Sequence, residues 1–233
     1  NAVDATVAVG FALAVTSSSN GNIGGGGFMV AAMSDGNTFT VDYREKAPGA
    51  GHRDMFLNDS SSVIPGMSLY SQAASGVPGT VDGLIRALDD HGSGKITLLQ
   101  ALLPAIRLAD KGYELSHYEA ERFNAFESFF ERNDAAAKIF NRKDGRPWKK
   151  GDRFVQKDLA KTLKRIGKYG RKGFYEGPIA DMIVDEMSRG NGLISHEDLK
   201  NYHSVYRDPV RGSYKGYDLV SMGPPSSGGI LLV

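Results

Sequence analysis

Cysteine is absent from all 233 residues. That removes disulfides, thiol nucleophiles and cysteine metal sites, and it leaves the redox compartment open. An excess of one charge sign is missing too. Lys and Arg number 28 against 27 Asp and Glu, a net +1, so nothing global directs the chain to nucleic acid or an acidic surface. Long apolar runs are lacking: Val7 to Val15 is the longest, against the ~20 residues that span a bilayer. That run also makes a poor signal peptide, since Asp4 stands where a basic leader belongs; an exported protein would carry its signal outside these residues.

Several catalytic signatures are missing as well. No Gly-x-Ser-x-Gly elbow is present, so a conventional serine hydrolase has no anchor. The histidines (His52, His91, His117, His196, His203) lack the i, i+4 pairing with glutamate of a zinc helix, and we expect neither metal nor cofactor. Gly92-Ser93-Gly94-Lys95 fails as a phosphate loop, with Asp89 at the first glycine position and Ile96 where a magnesium-binding hydroxyl belongs; it reads as a helix-to-helix turn.

What is present describes an ordinary globular protein, 41% hydrophobic and 24% charged. Its 29 glycines gather at turns without a repeat, which favours an α/β or α+β chain. No linker divides it, and residues 1–233 read as one incomplete domain. Both ends look truncated: Asn1 enters helical periodicity without a cap, and Gly228 to Val233 begins an apolar run that stops at once.

The periodicity predicts a fully buried helix over 2–16, a hairpin of strands 28–33 and 38–43 about Asp35-Gly36-Asn37, and helices over 81–90, 97–111 and 118–132. Phe123, Phe126, Phe129 and Phe130 lie roughly on one helical face and read as core. Further helices follow over 158–169, 178–189 and 196–202, with Pro178 at a first helical position and Ser195 with Asp198 as a capping box. Strands over 209–214 and 217–222 meet at Lys215-Gly216, and Gly223 to Gly229 forms a stiff loop whose Ser226 and Ser227 read as turn residues.

One stretch organises the rest. Gly24 to Gly27 precede the hairpin at an entropic cost that makes sense where another backbone or a ligand comes close. The second strand then delivers Arg44, whose planar fork of donors suits a carboxylate. Two readings stay open: an ion pair with Asp42 or Glu45, or a ligand clamp. Residues 142–172 carry 13 Lys or Arg against Asp144, Asp152 and Asp158, with Lys157, Lys161, Lys164 and Lys168 on one helix face. A solvated surface is preferred there over a polyanion-binding module with Trp148 as stacking partner.

The segments Asn1-Ala-Val-Asp-Ala, Asn22-Ile-Gly-Gly-Gly-Gly-Phe-Met, Asp42-Tyr-Arg-Glu-Lys-Ala-Pro, Ser75-Gly-Val-Pro-Gly-Thr and Pro224-Pro-Ser-Ser-Gly-Gly occur in this order. Together they resemble the large subunit of γ-glutamyltranspeptidases. The resemblance implies an N-terminal-nucleophile hydrolase with a four-layer αββα sandwich, made as a precursor that cleaves itself into large and small subunits. It implies that the small subunit's N-terminal threonine attacks γ-glutamyl amides such as glutathione, and that the acyl group passes to water or an amine acceptor. Arg44 would bind the substrate α-carboxylate, with Glu45 helping to hold it; no catalytic residue falls in this stretch, and the family's oxyanion-hole serines lie in the small subunit. The expected partners are that small subunit and the γ-glutamyl substrate, in the periplasm or outside the cell. Within the same fold, a poly-γ-glutamate depolymerase or a cephalosporin acylase is the alternative.

Overall fold

The computed structural model describes residues 1–232; Val233, the end of the apolar run at the C-terminus, lies outside them. Helix α1 spans Ala2–Thr16, and Asn1 caps it: its side chain accepts from the Asp4 N–H in a reciprocal capping box. The expectation of an uncapped start is therefore wrong, because an asparagine side chain reaches the third helical N–H as well as a serine does. Full burial also fails. Val3, Val7, Phe11, Ala14 and Val15 face the core, while Val9 is 53% and Leu13 46% exposed.

Strands β1 (Phe28–Ala32) and β2 (Thr38–Asp42) pair antiparallel with Phe28 opposite Asp42. The connection is longer than a two-residue turn. Gly36 N–H donates to Met33 C=O and Met33 N–H to Asn37 C=O, with Gly36 at φ +86°. A helical turn α2 (Met67–Tyr70) and one 3-10 turn precede α3 (Thr80–His91). α4 (Leu98–Lys111) starts on a Thr97–Gln100 capping box and ends at Gly112, so Gly92 to Lys95 is a helix-to-helix turn as read.

The region after α4 departs most from expectation. A two-residue strand β3 (Tyr113–Glu114) leads to α5 (His117–Ala125) and α6 (Glu127–Phe130), so the single helix expected over 118–132 breaks at Phe126. Three elements here were not anticipated, β3 itself, α7 (Asp134–Phe140) and β4 (Arg153–Phe154), the last pairing with β3. Phe123 is buried in a small aromatic core with Leu115, Ala120 and Phe154, whereas Phe126 and Phe129 stay exposed.

α8 (Lys157–Tyr169) buries Ala160, Leu163 and Ile166 against α4, and α4 in turn packs on α1. α9 (Lys172–Tyr175), α10 (Pro178–Arg189) and α11 (His196–Asn201) follow, with Pro178 and the Ser195–Asp198 box placed as expected. β5 (Val205–Arg207), absent from the sequence reading, pairs with β2 and gives a three-stranded antiparallel sheet in the order β1-β2-β5. Its middle strand buries Thr40, Val41 and Asp42. A separate ribbon, β6 (Val210–Tyr214) and β7 (Tyr217–Ser221), turns at Lys215-Gly216, and α12 (Gly228–Leu232) follows. The mixed helix-and-strand class expected from the sequence is the one observed, with a single three-stranded sheet set among helices within this stretch.

Candidate functional site

Beyond β2 the chain continues as Tyr43-Arg44-Glu45, antiparallel to the glycine run. Tyr43 N–H donates to Gly27 C=O at 2.9 Å, and Gly27 N–H returns to Tyr43 C=O at 3.2 Å. A Cβ on Gly26 would lie 2.8 Å from both Arg44 Cα and Glu45 N. No side chain fits there, so at this position the close neighbour that demands glycine is backbone. Gly25 C=O accepts from Gly79 N–H at 2.7 Å and Thr80 N–H at 3.0 Å, which ties the run to the start of α3.

The Arg44 side chain is 54% exposed. Its backbone N–H donates to Asp42 Oδ1 at 3.0 Å, its Nε to Glu45 Oε2 at 3.1 Å, and its Cζ lies 5.6 Å from the centre of the Phe28 ring. Asp42 is otherwise engaged, because its Oδ2 takes Arg207 Nε from β5 at 2.7 Å. Of the two acids offered as partners, then, Asp42 holds only the Arg44 backbone, and Glu45 takes one edge of the guanidinium. The two Nη nitrogens have no acceptor among the described residues. An end-on pair of N–H groups is what a carboxylate accepts bidentately.

Sequence reasoning missed the group behind this arginine. Tyr202, at the end of α11, donates its hydroxyl to Arg44 C=O at 2.8 Å. Beside it, Arg171 pairs with buried Asp82 at 2.8 Å, and Asp82 also accepts the Ser204 N–H at 2.7 Å. Lys46 Nζ donates to His203 C=O at 2.8 Å. A tyrosine at the end of a short helix carries no local pattern that links it to a strand end 158 residues earlier.

Four clefts among the described residues leave Arg44 out of their linings. The nearest in sequence, about 530 Å³, lies past it, between Lys46, Ala47, Val77, Ser195, Asp198 and Tyr202. Other candidates are structural. Arg142 donates to Asp144 and Asp152, both at 2.7 Å, and covers Trp148, whose Nε1 donates to Phe140 C=O at 2.7 Å. Trp148 packs edge-on against Phe123 and Phe154 in the aromatic core, so it offers no free ring for stacking. Lys157 pairs with Asp110 and Lys161 with Asp158, and Lys157, Lys161, Lys164 and Lys168 stand exposed as a solvated helix face does. Ser226 closes a turn on Gly223 C=O, as read. His91 stacks on Phe39, and His196 meets Asp181 at 2.9 Å. Among the described residues no helix is long and apolar enough to cross a membrane.

The sequence profile of the gamma-glutamyltranspeptidase family matches residues 1–233. The glutathione hydrolase proenzyme of Escherichia coli (strain K12) is 46% identical over 233 residues, covering all of this chain and 40% of that protein. The chain thus spans about 40% of the length of the curated relatives it matches. The crystal structure of Helicobacter pylori gamma-glutamyltranspeptidase superposes with a TM-score of 0.95 at 45% identity, over all of this chain and 66% of that one. The Acylase ACY 1 proenzyme of Pseudomonas sp. (strain V22) is more distant, 32% identical across 99% of this chain and 42% of its own length. By profile, identity and fold, this chain belongs to the gamma-glutamyltranspeptidase family.

Proposed function

We propose that residues 1–233 are the large-subunit part of a γ-glutamyltransferase or glutathione hydrolase, and that Arg44 grips the α-carboxylate of its γ-glutamyl donor. The observation that carries this is the state of the guanidinium. Its Nε edge is steadied by Glu45, its backbone is fixed by Asp42 and Tyr202, and its two Nη groups point to no protein acceptor among the described residues. A half-exposed arginine held in this way is prepared for an anionic ligand at little further entropic cost. The nucleophile belongs to the partner small subunit of the same precursor. It is an N-terminal threonine whose hydroxyl attacks the γ-amide carbonyl and forms an acyl-enzyme that water or an amine then resolves. The rest of the binding cleft comes from parts of the precursor outside residues 1–233, in keeping with the open surface around Arg44. Residues 1–233 then form one part of a single αββα domain, in a periplasmic or secreted protein.

Retention of Arg44 favours a donor with a free α-carboxylate over a cephalosporin-type acyl group, and the higher identity to glutathione hydrolases supports the same choice. The test is Arg44→Ala in the full-length protein. Losing a charged, bidentate partner is expected to cost about 2–4 kcal/mol of transition-state stabilisation, about a 30- to 700-fold fall in kcat/KM for a γ-glutamyl anilide. Unchanged kcat/KM in that variant removes Arg44 from the site.

A further inference from the structure

The segment that follows α11 grips the end of β2 at four points. Thr40 Oγ1 donates to Arg207 C=O at 2.5 Å and Arg207 Nε to Asp42 Oδ2 at 2.7 Å. Tyr202 Oη donates to Arg44 C=O and Lys46 Nζ to His203 C=O, both at 2.8 Å. The last two contacts bracket the residues 44–46, one at each end. Tyr202 is itself rigidly held. It is 2% exposed, and its ring lies parallel to that of Tyr175 at 5.8 Å and 2°. Arg171, anchored on Asp82, donates to the carbonyls of Lys200 and Tyr202 and covers the Tyr175 face at 4.7 Å. Tyr175 spends its own hydroxyl on Pro78 C=O at 2.8 Å. Of the two stacked phenols, Tyr202 is thus the one that touches the arginine's backbone.

We infer that Tyr202 is a positioning residue for Arg44: its hydroxyl, held by the Tyr175 stack and the Arg171–Asp82 pair, fixes the Arg44 carbonyl and so the direction in which the guanidinium leaves the strand. This rests on the γ-glutamyl reading of Arg44 given above. Burial raises the phenol pKa far above the ordinary tyrosine range, so the group remains a proton donor at any working pH. A ring that only filled the core would be replaced without functional effect by phenylalanine. A donor that aims Arg44 would not, because the freed carbonyl lets the Arg44 peptide rotate and the Nη pair leave the carboxylate.

The full-length mature protein tests this through two competitive inhibitors of γ-glutamyl anilide cleavage: L-glutamate, and 4-aminobutyrate, which is glutamate without its α-carboxylate. For Tyr202→Phe we expect the glutamate Ki to rise about three- to tenfold, the size of one lost hydrogen bond. The 4-aminobutyrate Ki and kcat should stay near wild type. Tyr175→Phe, which removes the neighbouring hydroxyl, should lower the unfolding midpoint and leave glutamate selectivity intact. On an Arg44→Ala background, Tyr202→Phe should change neither Ki further. Wild-type selectivity in Tyr202→Phe, or an equal rise in both Ki values, overturns the inference, as does the same selective loss in Tyr175→Phe. If Arg44→Ala alone keeps the preference for glutamate, the γ-glutamyl reading fails first, and the two failures are told apart.

Discussion

A guanidinium presents two usable edges to a carboxylate, and at Arg44 one of them is taken. Glu45 holds Nε while the Nη edge has no acceptor among the described residues, so Arg44→Lys is not a conservative change. A lysine keeps the charge but loses both the Glu45 contact geometry and the paired donors. We expect its kcat/KM for γ-glutamyl donors to fall about tenfold, less than for alanine, with the change mostly in KM. Steady-state kinetics on the two variants side by side checks the order. Part of this was legible in the residues: a glycine run, a strand and an arginine at its end marked the position and made a carboxylate the ligand to propose. Which acid pairs with the Arg44 side chain was not legible, because it depended on Arg207, 165 residues from Asp42, arriving to occupy that carboxylate and leaving Glu45 as the partner.

Elements show the same division between local and distant causes. Helices with strong periodicity and end signals, such as α4 with Thr97 and Gly112, fall where their sequences place them. β5 did not, since three residues carry too little pattern and its pairing energy lies in a strand far back in the chain. Its hold on β2 runs through Asp42, whose carboxylate is nearly buried and accepts from both Arg207 and the Arg44 N–H. Asp42→Ala should therefore lower stability by about 2–4 kcal/mol, since it leaves a backbone donor and a guanidinium unpaired. A stability loss under about 0.5 kcal/mol by denaturant unfolding would mean that the Asp42–Arg207 pair adds little to the backbone ladder and the Thr40 contact that hold β5. The loop before β4 has a different dependence. Hydrogen bonds from Arg142, and then from Arg146, hold the Asp144 carboxyl well below the usual carboxylate range. A carboxyl depressed in the folded state stabilises above its unfolded pKa of about 4 and loses that contribution as pH falls below it. The melting temperature of Asp144→Asn should thus lie below wild type at pH 6, and the gap should begin to narrow only as pH falls below about 4. Parallel curves below that pH would show that the arginines do not use the charge.

At the scale of the whole molecule, these residues supply a grip and no attacking group under the proposed function. Their surface agrees with that division: Arg44 stands on an open face, and Val9 and Leu13 of α1 are left uncovered on another. If the nucleophile and the opposite wall both come from the rest of the precursor, residues 1–233 produced alone should release no product from a γ-glutamyl anilide at any substrate concentration. Raising substrate cannot compensate, because acyl transfer without a hydroxyl at the carbonyl loses its covalent route altogether rather than weakening its binding. Binding should suffer as well. One exposed arginine, unsupported by a facing wall and screened by water, gives a carboxylate only the small attraction of a surface pair. Isothermal titration of the isolated stretch with L-glutamate should accordingly show no saturation at millimolar concentration. The full-length protein, after self-cleavage, should both bind glutamate and turn the anilide over. Anilide cleavage by the isolated stretch at a rate near that of the full protein would place a nucleophile within these residues and overturn the division of labour between the two subunits.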